Sequence, residues 1–319
     1  DILSYDLDID REIDTLGGKI TQTAMVLILQ FGLCKEEEKG CILSHLVKLV
    51  DYFGGKMSTG FVGTPYLLHT LSSNGRVDIA YRLLFNEEPP SWLYSVNKGA
   101  TTMWEHWNGI KEDGTFWSAD MNSFNHYAYG AVGDWLYGVV AGIKIAEPGY
   151  KKVTLAPQPD QRLGYVTASV QTPCGELLSS WEYVNGIVKY KFIIPEGTRL
   201  IAAGAFQGNK TLTRVEFPAS VKRIDHETFR DCKNLTRAII PLTITEIGED
   251  AFTNSGIWNN EKKWKKGGLY IDGCLIAVND NVPAKFIFKN KVPTRLIAAG
   301  AFANNKKIKS VVIPNGITE

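Results

Sequence analysis

Apolar residues recur at helical spacing over residues 19–33 (KITQTAMVLILQFGL), with Ala24, Ile28 and Phe31 on one side, which predicts a first helix. A second is expected over 36–53. Acids gather at its N-terminal end, Leu43, Leu46, Val47 and Val50 form its stripe, and Gly54 and Gly55 stop it. A glycine-rich entry then leads through Pro65 into a helix ending at Asn74 and Gly75, and 76–85 reads as one more, closed off by Pro89 and Pro90. Helices joined by short loops predict an array of αα-hairpins. Residues 122–143 read as a longer helix capped by Asn122 or Ser123. Its four glycines (130, 133, 138 and 142) would each weaken an isolated helix by about 1 kcal/mol relative to alanine, so close packing is expected to compensate. Residues 1–18 are acidic, lack this patterning and read as a loop or the tail of a preceding element.

The period changes near Pro148. Alternating runs over 165–193, separated by Cys174-Gly175 and Asn185-Gly186, predict two hairpins of an antiparallel sheet. Beyond 198 the chain repeats. Phe206, Phe229 and Phe252 are 23 residues apart, each with an isoleucine five positions earlier (Ile201, Ile224, Ile247), and TRLIAAGAF occurs at both 198–206 and 294–302. A strict period of this length with one strand-like run per unit is the mark of a leucine-rich-repeat solenoid. Between Trp258 and Val292 the register lapses into a strand-like insertion. The expected division is a helical domain over 1–147, an antiparallel β domain over 148–198 and repeats over 199–319. FIIPEGT at 192–198 matches the strand-Pro-Gly phrase of the repeats (VVIPNGIT, 311–318), so a continuous sheet edge is expected at that junction.

The 319 residues are 44% hydrophobic, enough for a sizeable core in two or three domains. With 35 Lys plus Arg against 34 Asp plus Glu, no global field directs the chain to nucleic acid or an anionic membrane, and a neutral ligand fits better than a polyanion. Lys262, Lys263, Lys265 and Lys266 read as a solvated face. The five cysteines are odd in number and scattered, with no histidine at zinc-ligand spacing, so free thiols and no metal or other cofactor are expected. No apolar run reaches the length of a membrane span, and no signal segment opens the chain. The repeats favour a secreted or cell-surface setting, and localisation stays open.

The densest chemistry lies over 99–129, GATTMWEHWNGIKEDGTFWSADMNSFNHYAY. Trp104, His106 and Trp107 surround Glu105, and Trp117, Phe124 and His126 follow. Aromatic faces stack on the apolar faces of a pyranose, and a carboxylate beside indoles suits general acid or base work. A buried helix end with a merely hydrogen-bonded acid would have the same composition. His69 and His45 read as packing residues, and Asp134 and Trp135 as support for His126 or as barrel packing.

TQTA (21–24), TGFVGTPYLLH (59–69), PSWLY (90–94), GATTMWEHWNG (99–109) and MNSFNHYAYGAVGDWLY (121–137), in this order and spacing, resemble the C-terminal part of bacterial α-L-rhamnosidases, glycoside hydrolase family 78. From 199 onward the chain resembles BspA-like leucine-rich repeats. The first resemblance implies part of an (α/α)6 six-hairpin barrel followed by a small antiparallel β-sandwich domain. It also implies inverting hydrolysis, in which an acid protonates the leaving oxygen and a carboxylate ~6.5–9.5 Å away activates water. The resemblance places the base on Glu105, a sugar-contacting histidine on a helix at His126, and Trp104, Trp107 and Trp117 around the substrate, a rhamnose-containing glycan or glycoside. The family's general acid belongs to a motif of the form DCPQRDERxGW, which does not occur in this sequence. At about 25 to 30 residues per hairpin, some 145 residues hold half of a closed ring. Two functions therefore stay open: an incomplete rhamnosidase, or a non-catalytic surface protein whose repeats bind a protein or glycan.

Overall fold

The computed structural model describes residues 20–288, 294–313, 315 and 317, so the expected loop over 1–18 lies outside the described residues. The chain forms two compact units. The first runs to Lys144 and includes 156–160, and the second comprises 145–155 and the residues from 161 onward.

In the first unit α1 (Gln22–Phe31) starts where the Thr21 hydroxyl accepts the Ala24 N–H at 3.1 Å and ends at Gly32, whose φ of 63° suits a residue without Cβ. Its buried face is Gln22, Met25, Val26 and Leu29, not the expected Ala24, Ile28 and Phe31, and Phe31 is exposed. Six consecutive apolar residues (24–29) offer a helix two apolar sides. Gln22 selects between them: its amide donates to Lys56 O at 3.0 Å and accepts from Ser58 N at 2.8 Å. α2 (Lys39–Tyr52) buries Ile42, His45, Leu46, Leu49 and Val50, a stripe that keeps Leu46 and Val50 but leaves Leu43 and Val47 half-exposed. α3 (Thr64–Ser73) and α4 (Val77–Leu84) form the next antiparallel pair, with Leu67, Leu71, Tyr81 and Leu83 in the core. α5 (Trp92–Asn97) is an addition to the expected set. Pro89 and Pro90 hide it in the sequence, yet the Ser91 hydroxyl caps it by accepting Tyr94 N–H at 3.1 Å.

The long helix expected over 122–143 begins only at Tyr127. A 3-10 turn (Tyr127–Ala131), one α turn, α6 (Val132–Trp135), and a π turn (Leu136–Val140) follow one another. Residues 123–126 are not helical because backbone groups among them are used elsewhere: Glu105 N–H donates to Ser123 O at 2.9 Å and His126 N–H to Met103 O at 2.8 Å. The Thr102 hydroxyl adds a short bond to Phe124 O. The segment closes at Gly142 (φ 73°), where a Cβ would lie 2.0 Å from Pro157 N.

The second unit opens with the hairpin of β1 (Ile143–Glu147) and β2 (Lys152–Leu155). The two further hairpins expected from the sequence are present as one antiparallel meander of β3 (Tyr165–Thr172), β4 (Gly175–Val184) and β5 (Ile187–Ile193), with Asn185 at φ 51° and Gly186 at φ 76° in its second turn. The repeats supply β6 (Leu200–Ile201), β7 (Arg214–Glu216), β8 (Arg223–Ile224), β9 (Arg237–Ile239) and β10 (Glu246–Ile247). β6, β8 and β10 form one parallel sheet, and β7 and β9 another. Phe206, Phe229 and Phe252 stack through the interior with ring centroids 5.2 Å apart at each step. The phenylalanine of each unit is flanked by two left-handed residues four apart: Gly204 and Gly208, Glu227 and Asp231, Asp250 and Asn254. These turns let each unit donate its backbone N–H groups to the next, as Phe206 does to Thr228 O at 2.9 Å and Phe229 to Ala251 O at 2.7 Å.

The sheet edge expected to run on from β5 into the repeats is not continuous. A turn closed by Thr198 N–H to Pro195 O (3.0 Å) ends the meander, and side chains make the join: Phe192 lies 6.5 Å from Phe206, and Ile194 packs on the repeat core. The insertion after Trp258 is more regular than its sequence. β11 (Trp264–Lys265), β12 (Gly268–Ile271) and β13 (Cys274–Val278) are antiparallel, and β13 pairs parallel with β15 (Leu296–Ile297) of the next unit. β14 (Lys285–Ile287) pairs parallel with β16 (Ser310–Val312). Ala299 N–H also reaches Ile247 O at 2.8 Å, so the repeat stack resumes against its third rung.

Candidate active site

The hydrogen bonds from Glu105 N–H to Ser123 O and from His126 N–H to Met103 O place Glu105 and His126 on neighbouring segments of the first unit. Glu105 is half-buried and follows the buried Trp104, whose ring meets Phe124 edge-on at 5.2 Å. Behind this ring Gly109 leaves no room for a side chain: a Cβ would lie 3.1 Å from Phe124 and 3.2 Å from Trp104. Trp107 stacks on Tyr129 at 3.8 Å and meets Trp92 edge-on at 5.4 Å, while the Trp92 indole N–H donates to Tyr129 O at 2.9 Å. Burial pushes the Tyr129 phenol up, the Trp107 side-chain hydrogen bond opposes this, and the Glu105 charge adds to it. Tyr129 thus feels the Glu105 carboxylate while remaining a neutral phenol.

Trp117 is held by a tight hairpin. Its N–H donates to Gly109 O at 2.9 Å, Lys111 N–H donates to Thr115 O at 2.8 Å, and the Asp113 carboxylate accepts from both the N–H and the hydroxyl of Thr115. The indole stacks on His106 at 3.5 Å and keeps 43% of its surface exposed. His126 stands at the N-cap of the 3-10 turn instead of within a helix. Its ring stacks on Phe61 at 4.8 Å with 14° between planes, and its buried Nδ1 makes no hydrogen bond among the described residues.

The five residues expected at the site stand in different settings. Glu105 and His126 are partly open, Trp117 presents a face to solvent, Trp107 is wedged between two rings, and Trp104 is a core residue at 6% exposure. Sequence reasoning passed over Phe61, Trp92 and Tyr129, although TGFVG, PSWLY and FNHYAY carry all three. The Asp134 carboxylate lies 2.9 Å from His69 Nε2, and the Trp135 indole donates to Ser72 Oγ at 2.9 Å in the core. All five cysteines are free.

Residues 14–140 match the family model described as the bacterial alpha-L-rhamnosidase six-hairpin glycosidase domain, 142–202 the bacterial alpha-L-rhamnosidase C-terminal domain, and 186–262 the BspA-type leucine-rich repeat region in 6 copies. An alpha-L-rhamnosidase of Formosa agariphila is 43% identical over 178 residues, covering 56% of this chain and 19% of its own length. One from an Alteromonas species is 42% identical over 172 residues, 54% of this chain and 19% of that protein. The structure of the Streptomyces avermitilis alpha-L-rhamnosidase complexed with L-rhamnose superposes with a TM-score of 0.53 at 40% identity, covering 55% of this chain and 17% of that one. The chain thus spans about a fifth of the length of the curated relatives it matches. In sequence order the chain is similar to the bacterial α-L-rhamnosidase six-hairpin domain, to the C-terminal domain of the same family, and to BspA-type leucine-rich repeats.

Proposed function

We propose that the first unit is the water-activating half of an inverting α-L-rhamnosidase site, acting on terminal α-L-rhamnosides. The carrying observation is the pairing that sets Glu105 beside the His126 segment within a cluster of stacked rings, in a stretch 43% identical to an alpha-L-rhamnosidase. Glu105 is the general base that removes a proton from the attacking water. His126 orients the sugar, and the face of Trp117 is free for a pyranose C–H surface. Protonation of the leaving oxygen needs a second carboxylic acid on the opposite face. No motif of the form DCPQRDERxGW occurs in the sequence, so the proposed site is the base side alone.

Titration of the folded chain with L-rhamnose, followed through the indole and imidazole NMR signals, tests this assignment. Saturable shifts at Trp117 and His126 that are lost in His126→Ala support it. Unchanged spectra at saturating sugar contradict it. The second reading, a binding protein that acts through its repeats, is favoured by the same missing acid motif. Retention of its ligand by a chain bearing Glu105→Gln and His126→Ala would mark it as a separate activity.

A further inference from the structure

Charge in the repeats is sorted by face. In residues 199–319 Lys and Arg outnumber Asp and Glu 19 to 11, an excess hidden by the near-neutral balance of the whole chain. The acids of the first three units lie mostly on the stretches around the phenylalanine turns, where arginines meet them. Arg223 pairs with Asp225 at 3.1 Å and with Glu246 at 3.3 Å, and Arg230 contacts Glu227, Asp231 and Asp250.

The stretches after the turns at Phe206, Phe229 and Phe302 are different. Lys210, Lys233 and Lys306 each stand four residues beyond the phenylalanine of their unit, Phe206, Phe229 and Phe302, and all three are exposed. Arg214 and Arg237 stand eight beyond theirs and are direct partners in the parallel register of β7 and β9. Like charges placed directly opposite destabilise a sheet, and the strands are only about 4.8 Å apart. Arg214 shares Glu216 at 2.9 Å, whereas Lys210, Lys233, Arg237 and Lys306 make no ion pair among the described residues. Lys210, Arg214, Lys233 and Arg237 thus form a basic column over the first two units; Gly256 and Asn260 interrupt it in the third, and Lys306 recurs in the unit of Phe302, where its N–H donates to the Asp280 carboxylate at 3.2 Å. These stretches are also free of rings: residues 209–216, 232–239 and 305–312 contain no Phe, Tyr, Trp or His. Single-stranded nucleic acid is held by stacking on such rings as well as by charge, so this face is built for charge alone.

We propose that this face binds a linear polyanionic glycan, a chain bearing carboxylates or sulfates at regular intervals, and so acts as an anchoring site separate from the Glu105 cluster. The full chain is titrated at low and at moderate salt with polygalacturonate, dextran sulfate, neutral dextran and poly(U). Binding to the two anionic glycans, weakened by salt, with neutral dextran ignored and poly(U) bound less well, is the expected pattern. The double variant Lys233→Glu, Arg237→Glu should bind the anionic glycans about tenfold or more weakly. Lys48→Glu with Lys151→Glu, two exposed positions that are not part of the column, makes the same change in net charge and should bind as the parent does. Equal loss in both double variants, absence of glycan binding, or preference for poly(U) overturns the proposal. If the glutamate pair does not fold, as judged by thermal melting, Lys233→Gln with Arg237→Gln gives the same comparison at smaller amplitude. None of these outcomes depends on rhamnoside chemistry.

Discussion

Glu105 is positioned through its backbone. Its N–H is fixed on Ser123 O, and the same ladder fixes His126 on Met103 O, so the two side chains inherit their neighbourhood from main-chain pairing. Phe61 supplies the other constraint on His126, a stacked ring at 4.8 Å. Such pairs contribute about 0.5–1.5 kcal/mol, so Phe61→Ala should weaken L-rhamnose binding by about tenfold or less. Phe61→Tyr keeps the ring and should retain the affinity. An unchanged dissociation constant in Phe61→Ala, measured by calorimetry, would remove Phe61 from the site. A second residue-scale prediction concerns Cys232 and Cys274, whose thiols burial pushes up to about 11 from an ordinary 9.0. Cys232 Sγ–H also donates to Phe206 O at 2.9 Å. A thiol with a raised folded pKa adds stability that is complete below the unfolded value and is lost as pH rises towards the folded one. Urea stability should therefore fall between about pH 9 and pH 11. Replacing both cysteines by alanine should flatten that part of the profile, and a profile of unchanged slope would count against it. At this scale the residues expected at the site were legible because they cluster in one 31-residue stretch. It did not show Phe61, about 40 residues earlier, because only folding brings that ring to the imidazole.

Among the elements, those with a punctuated pattern were the legible ones. The 23-residue period gave the repeat sheets their register, and Asn185-Gly186 marked a real hairpin turn. Where several apolar residues run together, as over 24–29, periodicity leaves the buried face undetermined, and the buried Gln22 was the overlooked discriminator. The 122–143 helix failed differently: its first residues read as a helix start, but tertiary hydrogen bonds from Glu105 N–H to Ser123 O and from His126 N–H to Met103 O use that backbone first. The repeat turns give the sharpest test of element-scale packing. A Cβ at Gly248 would lie 2.4 Å from His226 N and 2.6 Å from Asp225 C, backbone atoms that cannot rotate away. Gly248→Ala should cost about 1–3 kcal/mol. Gly40 lies inside α2, and a Cβ there would meet nothing within 4 Å, so Gly40→Ala should instead gain about 0.5–1 kcal/mol. Two denaturation curves check both signs, and a neutral Gly248→Ala would mean that adjacent rungs can spread. Phe229, stacked on both sides at 5.2 Å, should cost about 3–5 kcal/mol as alanine.

For the molecule as a whole, two resemblances in tandem define the architecture, and the balance of charge conceals a basic repeat segment behind an acidic remainder. Among the described residues no helix is long and apolar enough to cross a membrane. The first unit presents Phe31, Leu33, Phe53, Phe61 and Val62 to solvent, on a segment that spans only part of the six-hairpin domain of its relatives. The central claim is that this segment holds a working base without its acid, and leaving-group chemistry separates the two. A fluoride or dinitrophenolate leaves without protonation, whereas an alkoxide needs the acid, whose contribution is typically about 10²–10⁴-fold. The most direct measurement is therefore the hydrolysis of α-L-rhamnosyl fluoride, 2,4-dinitrophenyl α-L-rhamnoside and methyl α-L-rhamnoside by the chain and by its Glu105→Gln variant. Turnover of the two activated substrates alone, lost in Glu105→Gln, is the predicted result; no turnover of either by folded protein, or turnover that survives the substitution, would contradict the assignment of Glu105 as the base.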